Sequence, residues 1–287
     1  MKITNSDNNR CRVPLINVLT FCFTTFFSFL FVEANGVESK PWVSNYLEFE
    51  WRNSLLYQTY QSVESSSKLV DHSSDDLFFT TNLSNAVDPD FSVEVELTAA
   101  KTRKQKGNVD NFRLAGRYVW LDDVAGDPIT LTTGLCLTQA FLNSLNDISS
   151  FHHGRSEAEF FISVGKETAL CDMWQRRWWV VCGCGLAERG SAWIRGDVNY
   201  EYRLLKNHEL RLFLNSLWGF GHKQLHFHHF HGYGSINHQS VDLGFGYTYV
   251  IDFVGSINAA YSYRVFEHNF PAQAQCVLLN FLYPFGF

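Results

Sequence analysis

Positive charge is scarce in this chain. Its 23 lysines and arginines face 29 aspartates and glutamates, giving a net charge of −6. No basic stripe is present, which argues against a nucleic-acid partner. Cysteine is sparse as well, with seven in 287 residues. The five beyond residue 34 (Cys136, Cys171, Cys182, Cys184 and Cys276) are odd in number and irregularly spaced, unlike a disulfide framework. Cys182 and Cys184 would share one face of a strand and read as small apolar surface ahead of a metal or redox pair. No helical stripe stands out, and past residue 32 no apolar run approaches the roughly 20 residues of a membrane helix. Neither C-x-x-C nor H-E-x-x-H occurs, so no cofactor is expected.

Hydrophobic residues are plentiful, at 46%, with 16% aromatic, yet mean hydropathy is −0.13. Apolar and polar residues must therefore be finely mixed. The one concentrated run lies near the start: Lys2, Arg10 and Arg12 precede "VLTFCFTTFFSFLFV" (18–32), and Val32-Glu33-Ala34 ends on a small residue. This pattern reads as a secretory signal peptide over 1–34, cut before Asn35, with an uncleaved anchor helix as the alternative. The segment 35–287 then forms one domain of 20 basic and 27 acidic residues.

Through that domain the pattern is period two. "FSVEVELTA" sets Phe91, Val93, Val95 and Leu97 against Ser92, Glu94, Glu96 and Thr98, and "DLGFGYTY" sets Leu243, Phe245, Tyr247 and Tyr249 against Asp242, Gly244, Gly246 and Thr248. Twelve such segments lie near 46–58, 76–87, 91–102, 110–121, 128–140, 157–167, 177–187, 192–204, 208–219, 240–251, 255–266 and 275–287. Connectors tend to alternate between short (87–90, 122–128, 205–208, 252–255) and long (59–75, 101–111, 141–156, 219–239). Two break the rule: 168–176 is long and 188–191 short.

Alternating strands, alternating connectors and an apolar face rich in Tyr, Phe and Trp together resemble the bacterial outer-membrane β-barrel. The resemblance implies an all-β, closed antiparallel transmembrane barrel of 12 strands, or 10 if the first two segments are not strands. It also implies outer-membrane lipid around the wall, short periplasmic turns and long external loops. Closure has a physical reason, because a sheet in lipid must satisfy all its backbone groups within itself. A soluble β-sandwich or barrel is the rival; against it stand an apolar face heavy in Tyr, Phe and Trp and an opposite face dense in charged and small polar residues from nearly every strand.

If the polar faces line one lumen, opposite charges should meet across hairpins. Pairing Tyr202 with Leu210 sets Arg203 against Glu209 and Glu201 against Arg211. Pairing Tyr249 with Ile257 sets Asp242 against Arg264. Pairing Leu97 with Leu114 sets Glu94 against Arg117. The lumen-lining set expected from parity is Glu94, Glu96, Arg113, Arg117, Arg195, Asp197, Glu201, Arg203, Arg211, Asp242 and Arg264. With Glu48, Glu50, Glu157, Glu159, Glu209 and Arg52 also inward by parity, ten acids slightly outnumber seven bases, so a pore would weakly favour cations. These features lead to an expected function as a narrow porin-like channel for small hydrophilic solutes, with a structural or adhesive surface barrel as the alternative.

Three other constellations matter. "GHKQLHFHHFHGYGSINH" carries His226, His228, His229 and His231 in a long external loop, candidates for a metal or pH-sensing site beside the plainer reading of a polar surface loop. His238-Gln239-Ser240 is faintly similar to the His-x-Ser-Asn arrangement of outer-membrane phospholipase A, with Val241 where Asn would follow; catalysis would need an oxyanion stabiliser as well. Omptin-like proteolysis would draw on His72, Asp75, Asp76, His152 and His153. Finally, the chain ends "VLLNFLYPFGF". Phe281, Tyr283, Phe285 and the terminal Phe287 alternate as in the signal by which the outer-membrane assembly machinery, an expected partner, recognises barrels. Pro284 departs from that pattern.

Overall fold

A computed structural model describes residues 40–170 and 173–286. The leader over 1–34, Cys171 and Phe287 lie outside the described residues. Twelve long strands follow one another: β1 (Glu48–Ser65), β2 (Lys68–Asp88), β3 (Phe91–Lys101), β4 (Lys106–Leu121), β5 (Thr130–Ala140), β6 (Ser156–Leu170), β7 (Met173–Ala187), β8 (Trp193–Leu205), β9 (His208–Phe220), β10 (Asn237–Ile251), β11 (Gly255–His268) and β13 (Gln275–Gly286). A two-residue strand, β12 (Pro271–Ala272), pairs with β1 at Ser62 and Val63. Each long strand pairs with its sequence neighbours, and β1 pairs with both β2 and β13, closing the sheet into an antiparallel barrel.

All twelve predicted segments are strands. The connectors differ from expectation at one place. Residues 59–75 are not a loop: β1 and β2 continue as a paired ladder to a turn at Ser66 and Ser67, both with positive φ. "YQSVESSSKLVDHSSD" lacks an apolar alternate face because a ladder that projects beyond the bilayer needs none. The two irregular connectors also resolve. β6 and β7 run on to Leu170 and Met173, so 168–176 is mostly strand, while 188–192 joins two strands at the same end as the long loops.

One end of the barrel, the turn end, carries the short connections, the start of β1 at Glu48 and the end of β13 at Gly286. The other, the loop end, carries 141–155, 221–236 and 269–274. Period two places large apolar side chains outside on every strand. Trp51, Trp120, Trp178, Tyr249 and Tyr283 are exposed toward the turn end, Phe141, Trp218 and Phe266 toward the loop end, and Val95, Leu135, Ile162 and Val198 between them. This is the apolar band with flanking aromatics that a lipid-facing barrel requires. Cys182 and Cys184 lie on this outer face as free thiols.

Candidate functional site: the lumen and its roof

Inside, charge is held in pairs. Arg113 Nη1 lies 3.2 Å from Glu96, Arg195 Nη2 lies 2.8 Å from Glu159, and a second Arg195 nitrogen bonds Asp197. Glu201 accepts from Arg177 and lies 3.4 Å from Lys40 Nζ. Arg203 meets Glu209 at 2.6 Å, and Arg264 grips Asp242 with two bonds of 2.6 and 2.9 Å. Arg211 donates to Asn199 at 2.7 Å and lies over the Phe213 ring. Burying a charge is costly unless it is paired and hydrogen-bonded, so these arginines are structural members of the wall.

Two of the three hairpin registers stand as read: Glu201 is opposite Arg211, Arg203 opposite Glu209, and Asp242 opposite Arg264. The third is corrected by two residues. Leu97 pairs with Phe112, not Leu114, so Glu96 faces Arg113, Glu94 faces Ala115 and Arg117 faces Ser92. Bulges after Thr98 and Ala100 absorb the extra residues; a shift of two keeps every side chain on its face. Glu94 instead accepts from Asn82, and Arg117 Nη1 donates to the Lys40 carbonyl at 3.3 Å.

The segment before β1 enters the barrel, which alternation did not reveal. Trp42 meets Trp179 edge-on at 6.0 Å and donates to Asp123, while Thr132 donates to the Pro41 carbonyl at 2.6 Å. Phe161, Trp179 and Val181 form the buried cluster beneath it. Aromatic side chains therefore face inward here as well as outward. The only sequence signal is an apolar Trp42 in a stretch without strand pattern.

Across the loop end lies a roof. Tyr60 and Val63 of β1, Ile148, Leu225, Phe230, Tyr233, Ile236, Phe270 and Ala274 form one buried apolar cluster, with Phe151 packed against it. The loops are stitched by backbone bonds, Tyr233 N donating to His152 O at 2.7 Å and Gly234 N to His153 O at 2.9 Å. His153 stacks on Trp193 at 3.8 Å, and its Nε2 lies 3.2 Å from His238 Nε2. Only glycine fits at 219, because a Cβ there would lie 2.0 Å from the His238 ring. Burial, His238 and His152 hold His153 well below its ordinary pKa. Burial also opposes charge on His152, but Asp110, 2.8 Å away, outweighs it and raises that pKa.

Between the roof and the turn-end mouth runs an interior cavity of about 1180 Å³. Glu48, Asp252 and Phe285 line its mouth, and Phe151, His152, His153 and Phe270 its upper end. Of the predicted lumen set, Glu96, Arg113, Arg195, Asp197, Glu201, Arg203, Arg211, Asp242 and Arg264 line the cavity. Glu94 and Arg117 are buried in the wall beside it. Sequence reasoning missed Lys40 and Arg177, and His152 and His153, named there only for an omptin-like site, hang beneath the roof.

The remaining candidates do not assemble. Among the described residues no three His, Cys, Asp or Glu side chains are grouped to hold a metal. His226 and His229 are exposed and His231 bonds Asn146 at 2.6 Å, so the loop does not gather them; His228 lies in the same turn. His238 and Ser240 both face inward, and the His238 nitrogens are turned to His153 and the Ile236 carbonyl, not to Ser240. Asp75 and Asp76 point to opposite faces, the first bonded to Tyr57 and Thr59, the second to Ser74. His72 packs against Phe227 at a tilt of 38°, with ring centroids 4.9 Å apart. Phe281 and Tyr283 lie on β13, and Phe285 stacks on Phe49 at 5.5 Å. The ladder to β11 ends at Leu282, so Pro284 keeps a partner strand on one side only, where a missing donor is tolerated.

No protein-family model matches the chain, and no characterised protein sequence does. Solved structures do match in shape. An outer membrane channel from Pseudomonas putida F1 superposes with a TM-score of 0.65 at 9% identity, over 88% of this chain and 100% of that one. The NanC porin superposes with a TM-score of 0.53 at 7% identity, over 82% and 98%. At such identities the shared property is the fold, the closed antiparallel barrel of outer-membrane channels.

Proposed function

We propose that the chain is an outer-membrane channel for small hydrophilic solutes, exported through cleavage before Asn35 and inserted by the outer-membrane assembly machinery with its turn end in the periplasm. The observation that supports this reading is the continuous cavity from the mouth at Glu48 to the roof at Phe151 and Phe270. A lumen filled only to brace the wall would leave no such space. The roof sets the rate, because any solute must pass between loops 141–155 and 221–236. Single-channel recording of the purified barrel in planar bilayers tests this: small, discrete conductance steps are expected, and deletion of 223–235 should enlarge them. A folded barrel that conducts in neither form would leave the second reading, a structural or adhesive surface barrel, which the apolar closure of the loop end favours.

A further inference from the structure

The cavity wall is not the same all round. Charged side chains crowd the arc from β3 to β9, whereas on the opposite arc they flank two inward rows that carry none, with Arg52 on the mouth side and Asp76 and the Asp242–Arg264 pair on the roof side. Cross-strand register aligns Phe78, Leu56, Leu278, Ala260 and Gly246 into one row across β2, β1, β13, β11 and β10. Two residues nearer the mouth, the same five strands align Thr80, Ser54, Asn280, Asn258 and Thr248. The first row is apolar and continues into the cluster of Phe213, Ala260 and Cys276. The second consists only of hydroxyls and amides, with Ser54 donating to Asn280 at 3.2 Å and Asn258 donating to Thr248 at 2.8 Å. Leu56, Phe78, Leu278 and all of the second row line the cavity.

Facing these rows, the charges of Arg113, Arg195, Arg177 and Arg203 are each met by a carboxylate. An ion entering this space would lose hydration against the apolar row and gain little from charges already matched. A neutral solute with two unlike faces would lose nothing comparable. Its apolar face covers Phe78, Leu56 and Leu278, and its hydroxyls replace water on the Ser54–Asn280 row and on the carboxylate edges opposite. Resting on the channel reading, we propose that the lumen binds an uncharged, hydroxyl-bearing solute with one apolar face, the chemistry of an aryl or alkyl glycoside.

The test uses the full-length barrel in a zwitterionic detergent, since glycoside detergents would compete. Calorimetry with phenyl β-glucoside is compared with glucose, glucosamine and glucuronate. Phenyl β-glucoside should bind at least tenfold more tightly than either charged sugar, and more tightly than glucose. Leu278→Asn should bring it down to the level of glucose, and Leu278→Met should keep it, with retained heat-modifiable migration showing that both variants fold. Equal or stronger binding of glucosamine or glucuronate, or an unchanged constant in Leu278→Asn, would overturn the proposal. Liposome swelling separates the two readings. Preferential binding without flux refutes the channel and upholds the site; flux without binding preference upholds the channel and refutes the site.

Discussion

Arg264 shows what one inward side chain contributes. It is buried, bonds both Asp242 oxygens, donates to the Pro271 carbonyl at 3.1 Å, and lies 4.6 Å from the Phe270 ring centroid. It thus ties β10, β11 and the roof together. Arg264→Met is expected to cost about 3 kcal/mol, mostly from the stranded carboxylate. Urea unfolding should show it, and adding Asp242→Asn should recover a large part. Two neighbouring histidines act with opposite signs on pH. His153 stays neutral when folded, so its contribution is present above its ordinary pKa of 6.5 and is lost as pH falls. His152 has a raised pKa, so its contribution is present at low pH and is lost as pH rises through the folded value. Around the pair stand His238, Asp110 and Glu157. Amide exchange of 225–236 measures roof stability. His153→Gln should leave only the contribution of His152, with slower exchange at pH 6 than at pH 8 after correction for intrinsic rates.

At the scale of strands, period two carried most of the information. Parity fixes the face of every residue, so the inward charges were legible even where the β3–β4 register was not. A register depends on the turn as well, and bulges after Thr98 and Ala100 have no composition of their own. The uncharged rows were also hidden, since "SLLYQ" and "VLLN" place Leu56 and Leu278 inside beside Leu55 and Leu279 outside, and such runs blur the alternation. The roof was illegible for another reason: its nine apolar residues come from β1 and three loops and share no period. The closing strand carries a prediction of its own. Exposed Val277, Leu279 and Tyr283 continue one lipid-facing stripe toward the chain end. Deletion of Phe287 is expected to block membrane assembly while leaving secretion intact. Fractionation should find the variant in the periplasm, without heat-modifiable migration.

For the whole molecule, the question is how much of a net charge of −6 a permeating ion would meet. The cavity is lined by ten acids and eight bases, yet most of these are matched within the wall. Asp110 faces His152, Glu157 accepts from the His153 and Gly154 amides, and Glu201 serves two cations at once. The unmatched excess lies toward the mouth, where Glu48 bonds a neutral Asn45. A single charge near a narrow opening shapes selectivity more than paired charges deeper in. The reversal potential across a KCl gradient should therefore show a weak cation preference that moves toward zero in Glu48→Gln. Glu201→Gln should do more, because it removes the carboxylate that Arg177 and Lys40 share and so shifts the preference toward anions. If both variants keep the parent's reversal potential, ions do not pass along this cavity, and the wall charges serve only to hold the barrel closed.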